Sequence, residues 1–95
     1  MFLGVYRFTG EPAALLQAYE RLLLSIPAQN LHLHICTEDA QGLEVFDACP
    51  TREVFESFAA SAQFSQALRS AGLPTPAVRS IGVTRAAFVH GERID

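Results

Sequence analysis

The chain predicts an α+β domain with the element order βαββαβ, and three observations carry that prediction. The stretches "PAALLQAYERLLLSI" and "REVFESFAASAQFSQALRSA" repeat apolar residues at helical spacing, whereas "FLGVYRF", "LHLHIC" and "GLEVFDAC" read as strands. Turn-forming residues stand between these runs, at "TGEP", "TEDAQG" and "AGLP". The 95 residues suit one domain, 1–95, with no internal repeat, linker or low-complexity segment.

The first strand covers residues 2 to 8 and ends where Gly10 breaks the run and Pro12 suits the first turn of a helix. In that helix Leu15, Leu16, Tyr19, Leu22, Leu23 and Ile26 form one apolar stripe, which Pro27 ends. A hairpin over 31 to 49 follows, turning at "TEDAQG". Thr51 is the N-cap of the next helix, with Glu53 in its first turn and Val54, Phe55, Phe58 and Ala62 inward. From Ser61 this helix continues or restarts, burying Phe64, Ala67, Leu68 and Ala71 before Gly72 and Pro74 stop it. A last strand spans about 77 to 85, and "AAFVHGERID" extends it or forms a separate arm. Strands alternating with helices around a central hairpin predict the ferredoxin-like split βαβ, a four-stranded antiparallel sheet with two helices on one face.

Composition narrows the partners. A domain of this size buries only about 60 to 68% of its unfolded surface. Yet 49% of its residues are hydrophobic, so a ligand cavity or a second subunit must cover the excess. A net charge of −3 and seven scattered Arg argue against nucleic acid. No apolar stretch reaches the roughly 18 to 20 residues of a membrane span, and "MFLGVYRF" lacks the basic start and cleavage site of a signal peptide. A cytoplasmic chain with reduced Cys36 and Cys49 is therefore expected, with no membrane partner.

The hairpin "LHLHICTEDAQGLEVFDACP" carries the candidate chemistry. Leu31, Leu33 and Ile35 are the uninterrupted apolar set of its first strand, and Phe46 and Ala48 suit the same side. Packing these under the helices sends His32, His34 and Cys36 to the opposite face, with Leu43, Val45, Asp47 and Cys49. Pairing Cys36 with Leu43 across the turn sets His34 against Val45 and His32 against Asp47, Cβ atoms about 4.5 to 5.5 Å apart. Two such sheets facing each other close an eight-stranded barrel, which predicts a homodimer whose interior holds side chains or one small organic ligand.

The strings "VYRFTGEPAALLQAYERLL", "LHLHIC" and "GLEVFDACPTREVFESFAAS" resemble a small member of the dimeric α/β-barrel superfamily, near the antibiotic-biosynthesis monooxygenase-like domains. The last string resembles that group's strand, aromatic, helix cap and "EAFEAF"-like helix, and the resemblance covers nearly the whole chain. It implies pairing into a dimeric α/β barrel. It also implies a range of activities: cofactor-independent oxygenases, polyketide cyclases, muconolactone-type isomerases, haem-degrading enzymes and non-catalytic members. Cys49, followed by Pro50, stands where the monooxygenase-like group commonly has a cavity-lining aromatic. His34 falls near where some members carry a cavity histidine.

From the residues themselves, His34 is the candidate general base, since an imidazole exchanges protons near neutral pH. Asp47 orients His32 or fixes its tautomer, or offsets a buried cation. His32, Cys36, Val45, Cys49, Arg7 and Tyr6 are the candidate substrate-binding residues. Arg7 shares alternation with Leu3 and Val5, and Tyr6 with Phe8, so one of the two sets faces the pocket. In the pocket Arg7 holds a carboxylate or enolate oxygen, and elsewhere it makes an edge salt bridge. Phe55, Phe58 and Phe64 read as core, and His90 as solvated. No metal or other cofactor is expected, although His32, His34, Cys36 and Asp47 are all metal-ligating types. Two functions follow: an enzyme acting on a planar polyketide-like or enolisable molecule (monooxygenase-like, or a cyclase or isomerase), or a non-catalytic homodimeric binding protein. Metal or haem binding is the third.

Overall fold

The computed structural model describes residues 1–27, 29 and 32–95 of the chain. Its elements are β1 (Phe2–Thr9), α1 (Pro12–Leu23), β2 (Leu33–Asp39), β3 (Gly42–Cys49), α2 (Arg52–Ala59), α3 (Ala62–Ala71), β4 (Ala77–Val83), β5 (Phe88–Val89) and β6 (Glu92–Arg93). The first four strands form one antiparallel sheet in the order β2-β3-β1-β4. Thus β3 lies between the parallel pair β1 and β2, and β1 between the parallel pair β3 and β4, each pair joined through helices. This is an α+β fold compatible with the ferredoxin-like class. Among the described residues no helix is long and apolar enough to cross a membrane.

Local chemistry sets most boundaries. Glu11 caps α1 by accepting the amides of Ala13 and Ala14 at 3.1 and 2.8 Å, and Pro12 opens its first turn. Thr51 caps α2 as expected, accepting the Val54 amide at 3.2 Å. The second helical region restarts instead of continuing, because Ser61 caps α3 through the Phe64 amide at 3.1 Å while donating to the Phe58 carbonyl at 2.7 Å. Gly72 ends α3 with φ 90°. The tail folds back on itself as β5 and β6 around His90 and Gly91, whose φ values of 51° and 79° suit a tight hairpin. It does not extend β4, which stops at Val83, short of the expected 85.

Two expectations about the central hairpin are corrected. Its loop is two residues, Ala40 and Gln41, not the longer turn read from "TEDAQG", because Asp39 pairs directly with Gly42. The Asp39 carboxylate accepts the amides of Gln41 and Gly42 at 2.9 and 3.1 Å and ties the turn. A Cβ on Gly42 would lie 2.0 Å from the Phe8 carbonyl oxygen, so only glycine lets β3 start this close to β1. The turn is also centred one residue later in the chain than expected, which shifts the register by two: Cys36 faces Val45 and His34 faces Asp47.

The second correction concerns the faces. The groups predicted to share one face do share it, but that face lies under the helices. Tyr6 and Phe8 of β1, with Leu43 and Val45 of β3, join Leu15, Tyr19 and Leu22 of α1, Phe55 of α2, and Phe64 and Leu68 of α3 in one core, against which Cys36 and Cys49 pack. Leu33, Ile35 and Phe46 turn to the open face with Leu3, Val5 and Arg7, and Leu31 lies outside the described residues. The deciding strand is β1. Its bulky aromatics occupy alternate positions whose partners across the sheet are Leu43 and Val45, and burying those rings beneath helices outweighs burying a few aliphatics of the edge strand β2. Ile35 is left 48% exposed.

Candidate functional site

Between the helix-covered face of the sheet and the helices lies a cavity of about 680 Å³, within the size range of small-molecule sites, roughly 300–1,000 Å³. Leu22, Leu23 and Ile26 at the end of α1 form one wall, and Val54, Phe58 and Phe64 of α2 and α3 another. Phe58, read from the sequence as core, is 39% exposed because part of its ring faces this space. The floor is the sheet, where Tyr6, Val45, Asp47, Cys49 and His34 meet, and His32 stands just before β2 on the same lining.

A hydrogen-bonded chain runs along that floor. Tyr19 Oη lies 2.6 Å from His34 Nε2, and His34 Nδ1 lies 3.4 Å from Asp47 Oδ1. The carboxylate is acceptor-only, so Nδ1 carries the ring proton toward it and Nε2 accepts the Tyr19 hydroxyl. The two rings are nearly parallel, at 5°. Strand register places His34 opposite Asp47, and α1 carries Tyr19 over both. Gly4, on the far side of Asp47, leaves room for the Phe55 ring to lie against the backbone, since a Cβ there would sit 2.0 Å from Phe55 Cζ. Bulk and polarity thus alternate along one face.

Burial, and then the charges of Cys36, Glu20 and Asp47, push the Tyr19 hydroxyl up to about 12, so it holds its proton near neutrality. Tyr6 is pushed up further, by burial first and then by Asp47 and Cys49. Its Oη, near Asp47 and Cys49, is buried and has no hydrogen-bond partner among the described residues. Burial also raises both thiols, with Asp47 adding to it at Cys49 and Glu20 and Glu38 at Cys36. Neither cysteine is a ready nucleophile, since the thiolate is the reactive form.

Six of the eight residues singled out from the sequence line the cavity: His34, Asp47, His32, Val45, Cys49 and Tyr6. Cys36 packs against the core but does not line it. Arg7 lies on the other side of the sheet, where its guanidinium grips Asp39 bidentately at 2.7 and 2.8 Å and Glu44 at 3.3 Å, the edge salt bridge of the two alternatives. Asp47 meets His34, not His32 as the expected register implied. Sequence reasoning missed Tyr19, which it counted only as part of an apolar stripe. A tyrosine in a buried stripe nonetheless signals that some polar group must meet its hydroxyl. Among the described residues no three of His, Cys, Asp and Glu stand together in a way that would hold a metal ion.

In comparisons with protein-family models, with curated proteins and with solved structures, nothing matches the chain.

Proposed function

We propose that the chain is a small-molecule enzyme that abstracts a proton from a planar, enolisable or phenolic compound held in the cavity, without a bound cofactor. One observation carries the reading: the Tyr19–His34–Asp47 chain lies along the wall of an apolar cavity large enough for such a ligand. The substrate's proton passes to Tyr19 Oη as the tyrosine's own proton moves to His34 Nε2. The imidazolium so formed is stabilised by Asp47, and the substrate is left as an enolate or phenolate. This step is common to the cyclase, isomerase and monooxygenase-like activities of the superfamily the chain resembles.

The same resemblance supports pairing of two copies through the open sheet face, where Leu3, Leu33, Ile35, Phe46 and Ile81 leave apolar area without cover from the helices. Because the histidine faces the helices, each copy keeps its own cavity, and the interface lies behind the site.

The test uses 2-tetralone, a planar enolisable ketone, incubated with the protein in D₂O while α-proton exchange is followed by NMR. The protein accelerates exchange, and His34→Ala lowers the acceleration by about 100-fold or more with an unchanged far-UV spectrum. Exchange no faster than buffer, with the ketone bound, overturns catalysis and leaves a binding protein.

A further inference from the structure

The cavity is larger than its reacting end needs, given the reading that it holds a substrate. At the roughly 30 Å³ that one water molecule takes up in the liquid, 680 Å³ is room for about twenty non-hydrogen atoms, about twice what a bicyclic ketone brings. The extra space is a slot: α1 packs against α3 but makes little contact with α2, so the two helices stand apart above the sheet. Its walls are apolar, with Leu22, Leu23 and Ile26 on one side and Val54, Phe58 and Ala67 on the other. Of the polar side chains away from the floor, Ser25 gives its hydroxyl to the Leu22 carbonyl at 2.8 Å, and Gln29 and Gln63 are solvent-exposed. A water molecule held between these walls wants about two to four polar partners, which the wall side chains do not supply. Val54 and Phe58, one turn apart on α2, line the slot and remain 47% and 39% exposed. A partner helix does not fit. With side chains it is about 10–12 Å across, so the volume would take little more than one turn. Nor do flat faces clasp a second ring system, because Phe58 and Phe64 are tilted 41° against each other and stand opposite aliphatic side chains.

We infer that the substrate is an amphiphile, with an aliphatic chain lying in the slot between α1 and α2 and its reacting group on the Tyr19–His34–Asp47 floor. The slot then reads chain length, and each methylene moved out of water between its walls tightens binding about fourfold.

Three probes with one head group and different tails test it: 2-hexanone, 2-octanone and 2-decanone, titrated into the isotope-labelled full chain and followed by NMR. Affinity climbs about tenfold or more with each added pair of methylenes. Val54→Trp narrows the slot at a half-exposed position and weakens 2-decanone about tenfold, while 2-hexanone changes by less than about threefold. Ile35→Asp, on the open face, leaves the whole series as it was. Affinity that does not depend on chain length overturns the inference, as does a climb that Ile35→Asp abolishes and Val54→Trp spares, or the failure of all three ketones to bind. The exchange of 2-tetralone is read separately. Exchange without chain-length dependence strikes the tail and keeps proton abstraction, whereas chain-length dependence without exchange keeps the slot and strikes catalysis.

Discussion

The two faces of the sheet are made from the same four strands and carry opposite designs. Under the helices lie rings and ionisable groups: Tyr6, Phe8, Tyr19, Phe55 and Phe64 around His34 and Asp47. On the open face lie mid-sized aliphatics, the Phe46 ring and an ion-pair cluster at one edge, Arg7 with Asp39 and Glu44. On the covered face Tyr19, His34 and Asp47 hold one another in a part-buried chain, whereas the polar groups on the open face are screened by water. A change of the same kind should therefore have very different consequences on the two sides.

The sharpest contrast is between two glycines. Gly4→Ala drives a methyl group into the Phe55 ring, 2.0 Å from Cζ, and is expected to cost about 3 kcal/mol in urea unfolding. Gly82→Ala, opposite Leu3 on the open side, meets nothing within 4 Å. It should shift stability by no more than about 0.5 kcal/mol. Similar costs at the two sites would break the comparison.

Next comes activity. Tyr19→Phe removes the bond to His34 Nε2, with an expected loss of about 1 kcal/mol of stability. The 2-tetralone exchange rate should fall by about 100-fold, whereas Ile35→Asp on the open face leaves per-chain exchange unchanged. If two copies pair through that face as proposed, Ile35→Asp should instead lower the solution mass from dimer to monomer by sedimentation. A variant that did both would show that site and interface are not on separate sides.

Alkaline pH gives a smaller effect. With its hydroxyl held up to about 12, Tyr19 stays protonated in the fold where an unfolded tyrosine ionises near 10. Its contribution is thus fully present below about 10 and is lost as pH rises toward 12. Urea midpoints should fall over that window, and less steeply in Tyr19→Phe.

The smallest effect belongs to the open face. Arg7 first, and then the Gln41 amide, holds Asp39 down to about 2. The contribution of this exposed pair is present above the ordinary carboxylate value and disappears as pH falls toward 2. Arg7→Met should therefore differ from the parent in thermal midpoint at pH 7 and converge with it near pH 2.

Much of the fold was legible because its signals are local. Thr51, Pro12 and Gly72 mark helix ends through their own side chains or dihedrals, and the α1 stripe yielded Leu15, Tyr19 and Leu22 as buried. The hairpin register was not legible, because it depends on whether Asp39 folds back onto the Gln41 and Gly42 amides, and "TEDAQG" admits more than one turn. That choice moved His34, not His32, onto Asp47. Arg7 could be placed only once β1 had chosen which of its alternating sets to bury.

By itself the sequence determined the order of elements and the grouping of His34, Asp47, Val45 and Cys49 on one side, because strand alternation is a property of each strand's own backbone. Which side the helices cover was decided only by tertiary packing, since it depends on the summed fit of rings from β1, α1, α2 and α3 across long separations in the chain. That decision placed the imidazole inside a cavity of its own chain, with Tyr19 as its partner, instead of in a barrel shared between two.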